Sequence, residues 1–161
     1  MSKPKVEFSV DRPEQSVGFV FWKTTLLWQK KITECLKPLN ITHVQFVLLA
    51  GLGWLQNKNS EVTQMMLAHH AEVDVMMTSK VIRSLEAKNL IVRHQHSTDT
   101  RAKSLSLTPP GRKLLEKALI IVEEADKVFF KPIQPNKNQF SDSLRALMTE
   151  NLKAGDNNVG I

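Results

Sequence analysis

The fold is decided by residues 74–93, which read DVMMTSKVIRSLEAKNLIVR. Four of their positions recur at the i, i+3, i+4, i+7 spacing of one buried helix face: Thr78, Val81, Ile82 and Leu85. At about 100° per residue, the opposite face carries Met76, Lys80, Arg83 and Ala87. Asp74 is a suitable N-cap and Asn89 a suitable left-handed C-cap. The stretch therefore predicts a strongly amphipathic helix over residues 75–88.

The segments on either side complete a known order of elements. Ahead of this helix, residues 61–70 predict a short helix and residues 72–74 a turn. Behind it, residues 90–96 and 102–107 predict two strands joined by a polar loop. A short helix, a turn, an amphipathic helix and a β-hairpin follow one another in the winged helix-turn-helix.

Further helices are predicted outside this lobe. The apolar side chains of residues 17–36 recur at helical spacing and predict a first helix. Thr42 and Gln45 form a capping box ahead of a second, apolar helix. Thr108 as N-cap, with Pro109 in the first helical position, predicts the start of a long helix. Spaced apolar residues after it predict one last helix.

Most of the positive charge lies in the middle of the chain. The 161 residues carry a formal net charge of +6, and residues 74–117 alone hold nine bases and four acids, a surplus of +5. A basic segment between near-neutral ones indicates a module that binds a polyanion, set in a scaffold. An ordinary solvated face explains the charge alone equally well.

The sequence argues against several classes of protein. Its longest apolar stretch, residues 46–55, has 10 residues, against roughly 18 to 20 for a membrane span, so no membrane association is expected. The first 15 residues lack the apolar core of a secretory signal, and the single cysteine excludes an intrachain disulfide. Both features predict a cytoplasmic protein. Because no nucleophile elbow, phosphate-binding glycine loop or paired carboxylate motif occurs, we expect no enzyme activity and no cofactor.

Neither the histidines nor the cysteine predicts a site. The pairs His69–His70 and His94–His96 lack the i, i+4 helical spacing that lets two imidazoles converge on one ion, so no metal is expected. His94 and His96 do share one face of a predicted strand. Cys35 lies near the C-terminal end of a predicted helix, which disfavours the thiolate, and an inert cysteine is favoured over an oxidant sensor.

Three stretches resemble the MarR family of bacterial and archaeal transcription regulators. They are THVQFVLLAGL at 42–52, VTQMMLAHHAEVDVMMTSKVIRSLEAKNLIVR at 62–93 and DTRAKSLSLTPPG at 99–111. The resemblance rests on four features in this order: the Leu67–Ala68 pair, the LEAKNLI segment, an Asp-x-Arg wing tip and the LT..G helix start. Each alone is weak, but the combination is specific. It covers roughly residues 17–152.

The resemblance implies a mainly α-helical fold with a small β-hairpin wing (α+β), a winged helix-turn-helix with N- and C-terminal dimerisation helices. Residues 42–108 then form the DNA-binding lobe and residues 16–41 and 109–154 the dimerisation helices, between an N-terminal arm at 1–15 and a flexible tail at 155–161. It also implies a homodimer that binds double-stranded DNA at a pseudo-palindromic operator, with a repressor favoured over an activator.

Members of this family often release DNA when they bind a small aromatic or lipophilic molecule, so such an effector is expected here. Two alternatives stay open. One is a winged-helix adaptor that binds protein and not DNA. The other is a ligand-independent regulator whose crevice is filled by its own aromatic side chains.

The resemblance and the charge pattern place the DNA contacts on the amphipathic helix and the wing. The expected residues are Met76, Met77, Ser79, Lys80, Arg83, Arg93, Arg101 and Lys103. Asp99 is expected to orient Arg101 rather than to touch DNA. The family usually has polar residues in the first turn of this helix, where the present chain has Val75, Met76 and Met77. These three side chains either pack against thymine methyl groups or are partly buried in the lobe.

An effector crevice is expected beside the first two helices, because these helices border it in the family. The candidate residues are Phe21, Trp22, Trp28, His43, Phe46 and Trp54. For each of them taken singly, packing in the dimer core is favoured over ligand contact.

Overall fold

The computed structural model describes residues 6–59, 61–97 and 102–156. Within them, the helices and the two strands that the sequence predicts occur in the predicted order. The elements are α1 (Val17–Leu36), α2 (His43–Gln56), β1 (Val62–Thr63), α3 (Gln64–Ala71), α4 (Val75–Ala87), β2 (Ile91–Gln95), β3 (Lys103–Leu107), α5 (Pro109–Phe129) and α6 (Lys137–Asp156). The predicted mainly α-helical, winged helix fold is confirmed. The chain divides into two compact units, one up to Ala125 and one from Asp126.

The sheet has three strands rather than the two of the predicted hairpin. β1 pairs antiparallel with β3, which also pairs with β2, in the order β1-β3-β2. The prediction of a helix from residue 61 was therefore wrong at its start, since Val62 and Thr63 are a strand. α3 begins at Gln64, where the Thr63 hydroxyl accepts a hydrogen bond from the Met66 N–H at 3.2 Å. Two residues are too few to show the period-2 pattern of a strand.

The core of the first unit lies between α2, α4 and the sheet. α4 contributes the predicted face of Thr78, Val81, Ile82 and Leu85, all buried. α2 contributes Leu48, Leu49 and Leu52. The start of this core helix follows the predicted capping box, because Thr42 and Gln45 each bond the other's backbone N–H, at 3.2 and 3.0 Å. The buried side chains of α4 thus fix which face of that helix points outward.

One close backbone approach explains the LT..G motif. The Thr108 hydroxyl donates to the Asn89 carbonyl at 2.7 Å and accepts from the Gly111 N–H at 3.0 Å. The Thr108 N–H donates to the Leu90 carbonyl at 3.1 Å. A Cβ at Gly111 would lie 1.8 Å from the Leu90 oxygen, so only glycine fits. We call these four residues the α5 joint. Asn89 has φ 56°, as the predicted left-handed cap requires.

The second unit is built around aromatic contacts. Phe130 packs edge-on against Phe129, with ring centroids 5.1 Å apart, and lies 6.3 Å from Phe140. A short 3-10 helix at Lys131–Asn136 holds the two prolines that end α5 and leads into α6. Four large apolar residues of α6 are exposed: Phe140, Leu147, Met148 and Leu152. α6 extends to Asp156, and residues 157–161 of the predicted flexible tail lie outside the described residues.

Among the helices of the described ranges, none is by itself both long and apolar enough to cross a membrane. α1 and α2 meet the length and composition criteria only as a pair, bent by 79°.

Candidate nucleic-acid interface

The outward face of α4 carries a line of three exposed side chains. Met76, Lys80 and Arg83 lie at i, i+4 and i+7, opposite the buried face. The Met76 side chain is 81% exposed. Within the part of the chain that the structure describes, neither Lys80 nor Arg83 forms an ion pair. We call these three residues the outward stripe. It can present two cations and one apolar group to a partner.

The first turn of α4 is exposed and apolar. Val75 is 40% and Met77 48% exposed, so the lobe covers about half of each, whereas Met76 is 81% exposed. A contact of any of the three with a base stays a prediction. The Asp74 carboxylate caps this turn as predicted, accepting the N–H groups of Met76 and Met77 at 2.9 and 3.0 Å. The cap fixes the point at which α4 begins.

A buried amide holds the other end of α4 in place. The Gln45 side chain, in α2, donates its Nε2–H to the Ser84 hydroxyl at 2.9 Å. Its Oε1 accepts from the Lys88 ammonium at 3.4 Å, and Lys88 also donates to the Asn40 carbonyl. Sequence reasoning assigned Gln45 only to the capping box. Its contacts to α4 span about 40 residues of sequence, and no local pattern reveals them.

Two further residues that were predicted to contact DNA, Arg93 and Ser79, are less exposed than the outward stripe. Arg93, on β2, forms an ion pair through its Nε with the Glu86 carboxylate at 3.0 Å. Ser79 is half-buried on the flank of α4. Because Glu86 lies near the end of α4, the ion pair ties that end to the sheet. A contact of Arg93 or Ser79 with DNA stays a prediction.

The described part of the wing is β2 and β3. Lys103 is exposed and donates to the Gln95 side chain, its partner across the two strands. Asp99 and Arg101, expected at the wing tip, lie outside the described residues.

A carboxylate that the sequence did not single out lies at the base of the wing. The Glu61 carboxylate accepts hydrogen bonds from the hydroxyl and the N–H of Ser97, and it lies 3.6 Å from His96 Nε2. The Ser97 hydroxyl, then the Ser97 N–H, and to a smaller degree His96 lower the pKa of Glu61 below its ordinary value of 4.5. Glu61 therefore holds the chain where it leaves β2. Over the described residues, no three His, Cys, Asp or Glu side chains converge on a possible metal position.

A cavity of about 650 Å³ opens beside α2, within the first unit. It is lined by Phe46, Val47, Ala50, Gly51, Gly53, Trp54, Asn57, His70, Ala71, Leu107, Arg112, Leu115, Glu116 and Leu119. Of the six crevice candidates, it includes Phe46 and Trp54. Both lie on the α2 face that carries 46, 50 and 54 at helical spacing.

The other four crevice candidates lie elsewhere. Trp28 packs edge-on against His43, with ring centroids 5.1 Å apart, at the beginning of α2. Phe21 and Trp22 are exposed on α1. The six were grouped because they share two helices, but only one face of α2 borders the cavity.

Sequence reasoning missed four polar side chains of the cavity, among them Asn57 of the loop after α2 and the acid Glu116 of α5. His70, from α3, and Arg112, from α5, contribute to its lining. A Cβ at Gly51 would lie 3.1 Å from the His70 ring, and one at Gly53 would lie 3.0 Å from Leu115. The two glycines thus let α3 and α5 lie close to α2. Because the lining residues lie far apart in sequence, no local sequence motif indicates the cavity.

Comparisons with known proteins agree with this geometry. A family model for the ArnR1-like winged-helix domain matches residues 37–124. The HTH-type transcriptional regulator YdcH of Bacillus subtilis (strain 168) is 38% identical to this chain over 136 residues, 84% of the chain and 92% of YdcH. The HTH-type transcriptional repressor Rv2887 of Mycobacterium tuberculosis (strain ATCC 25618 / H37Rv) is 26% identical over 132 residues, 81% of the chain and 92% of Rv2887.

Solved structures agree as well. MepR of S. aureus, in a complex with DNA, has a TM-score of 0.75 and 25% identity, covering 88% of this chain and 99% of MepR. The complex of the MarR family protein Rv2887 with salicylic acid has a TM-score of 0.63 and 25% identity, covering 82% and 96%. These relatives and neighbours are transcription regulators and not enzymes. The chain belongs to the MarR family of winged helix-turn-helix, DNA-binding transcription regulators.

Proposed function

We propose that this regulator is a repressor that binds a pseudo-palindromic operator as a homodimer. The observation that carries the proposal is the outward stripe of α4, in which Lys80 and Arg83 are exposed on the face that the packed core leaves free. α4 lies in the major groove, where both cations reach phosphates or base edges. The repressor Rv2887 and the DNA complex of MepR support this assignment.

The proposed DNA contacts divide between α4 and the wing. On α4 they are Met76, Met77, Ser79, Lys80 and Arg83. On the wing they are Arg101 and Lys103, with Asp99 orienting Arg101 and Arg93 in a weaker role. The wing cations neutralise the backbone beside the groove. As its partner is chromosomal DNA, we place the protein in the cytoplasm.

Exposed apolar surface on the N-terminal and C-terminal helices supports the homodimer. α1 exposes six large apolar residues, namely Val17, Val20, Phe21, Trp22, Leu26 and Leu27. α6 exposes a further set of four. Apolar surface on this scale is typical of a protein interface, and we assign residues 16–41 and 109–154 to dimerisation. The two copies of α4 then lie about one turn of DNA apart, ~34 to 36 Å.

The cavity beside α2 is the proposed effector site. Phe46 and Trp54 provide aromatic walls, and Arg112 provides a cation for an acidic group. A volume of about 650 Å³ suits a small aromatic or lipophilic ligand. The salicylic acid complex of Rv2887 supports this ligand class.

The DNA-binding proposal is tested with the full chain and the DNA upstream of its own gene, at two salt concentrations. We expect a retarded complex that weakens steeply with salt.

Arg83→Ala should lower the affinity about tenfold. Arg101→Ala should weaken binding to every sequence and reduce the salt slope by about one. Arg12→Ala, an exposed arginine that lies outside the proposed DNA contacts and the proposed dimerisation helices, is the matched control. Absence of any salt-sensitive complex would instead favour the adaptor.

The effector proposal is tested by thermal unfolding of the protein with salicylate as the probe. Binding to the folded state should raise the melting temperature in a concentration-dependent way. Arg112→Ala should abolish the rise, because the carboxylate loses its counter-ion. An unchanged melting temperature with salicylate and with other aromatic acids would favour a ligand-independent regulator.

A further inference from the structure

We infer that Met76 reads the C5-methyl group of a thymine in each operator half-site. The inference rests on the proposed entry of α4 into the major groove and goes beyond it, since it names the base that the first turn of the helix selects.

Met76 shares the line of the outward stripe with Lys80 and Arg83, one and two turns further along α4. A partner that meets those cations therefore also meets the methionine. With 81% of its surface exposed, this side chain contributes nothing to the described core. Its apolar surface is available to the partner alone.

The cap of this turn occupies two of its backbone donors. The N–H groups of Met76 and Met77 both donate to the Asp74 carboxylate, at 2.9 and 3.0 Å. That carboxylate also carries a negative charge, which repels phosphate. Phosphate binding by the helix N-terminus is thereby disfavoured, and apolar side chains are what the turn presents to the groove.

Only one base matches such a surface in the major groove. Thymine presents a methyl group there, whereas the other bases present donors and acceptors without a methyl group. A methionine cannot donate a hydrogen bond, and its thioether is a weak acceptor. Placed against the polar edge of another base it displaces water without replacing the lost hydrogen bonds. Against thymine it buries a methyl group instead.

The charges beside Met76 favour DNA over a protein as the occupant of this surface. Lys80 and Arg83 flank it on the same face, and they have no acidic partner within the described residues. A purely apolar protein surface would leave both cations without counter-ions. DNA supplies phosphates for the cations and a methyl group for the methionine in one groove.

The experiment begins with an operator selected by the full-length protein from a random DNA pool. Each thymine of a protected half-site is then replaced by deoxyuridine, which removes the methyl group and keeps the base pair. We expect one position at which affinity falls about fourfold for one half-site and about 16-fold when both half-sites are changed. Fluorescence anisotropy measures the dissociation constants.

Variants assign the effect to the side chain. In Met76→Ala the ratio of thymine to deoxyuridine affinity at that position should fall to about one. Met76→Leu retains apolar surface and should keep most of the discrimination. Met65→Ala removes an exposed methionine of α3 and should leave the ratio unchanged.

Three outcomes overturn the inference. One is an operator without thymine in the protected half-site, the second is an affinity that no deoxyuridine replacement changes, and the third is a methyl effect that persists in Met76→Ala. In each of them salt-dependent binding still supports the proposed function. If the protein selects no DNA at all, the proposed function fails together with the inference.

Discussion

The α5 joint and the outward stripe of α4 are determined by opposite requirements. In the joint, Gly111 lies so close to the Leu90 carbonyl that a single added carbon would overlap it. In the stripe, Met76 is 81% exposed and does not belong to the buried core of the described residues. Packing in the interior therefore determines which residue fits at the joint. It places no such requirement on the stripe, where contact with a partner determines which residue is suitable.

This difference separates two kinds of mutational effect. Changes at the joint alter the free energy of unfolding, and DNA binding is lost only because less folded protein remains. Changes at the stripe alter affinity and salt dependence in a protein that is equally stable. A substitution that changes both the free energy of unfolding and the affinity for DNA should affect the contacts that connect the core with α4.

The largest effect is expected for Gly111→Ala. Because the added Cβ would lie 1.8 Å from a backbone oxygen, the start of α5 has to move away from Leu90. Breaking this contact and the hydrogen bonds of Thr108 should lower the free energy of unfolding by about 4 kcal/mol. Urea denaturation followed by circular dichroism measures the change.

Gly18→Ala is the matched control for that substitution. An added Cβ at this position of α1 meets no atom of the described residues of its own chain within 4 Å. Stability should stay the same or rise by up to about 1 kcal/mol, since alanine is the better helix former. Equal stability of the two variants would contradict the account of the joint.

An intermediate effect is expected for Gln45→Leu, because Gln45 connects the core to α4. The change leaves the Thr42 N–H and the Ser84 hydroxyl without their partner and should lower the free energy of unfolding by about 2 kcal/mol. The dissociation constant for DNA should also rise, because α4 is less well positioned, while the salt slope stays unchanged.

Gln45→Glu tests whether the hydrogen bonds or only the shape of the side chain is responsible. A glutamate keeps the acceptors for Thr42 and Lys88 and can accept from the Ser84 hydroxyl. Its loss of stability should be smaller than that of the leucine variant. A larger loss would show that the neutral amide is required.

The separation in sequence between contacting residues explains which features the sequence could predict. The buried face of α4, its Asp74 cap and the Thr42–Gln45 box follow local periodicity and spacing, and the structure confirms them. Strand β1 is too short to carry a period, and it exists only because β3 offers it an edge. The cavity and the Gln45–Ser84 contact depend on chain segments far apart in sequence, which single-sequence patterns do not bring together.

The smallest effect is expected from Glu61, at the base of the wing. Its pKa is lowered by the hydrogen bonds from Ser97, so folding favours the ionised carboxylate. The sign follows from linkage: this stabilisation is fully present above the ordinary pKa of 4.5 and is lost as the pH falls through the lowered value. Stability of the wild type should therefore decline over this acid range more than that of Glu61→Gln.

Chemical denaturation of the two proteins at a series of pH values below 6 measures that difference. Ser97→Ala removes the hydroxyl that lowers the pKa most and should reduce the pH dependence without abolishing it, because the Ser97 N–H remains. Identical pH dependence in the wild type and Glu61→Gln would mean that the carboxylate does not hold the wing. The wing would then resemble the outward stripe, whose side chains are not part of the buried core of the described residues. Binding to DNA would then determine the geometry of the wing.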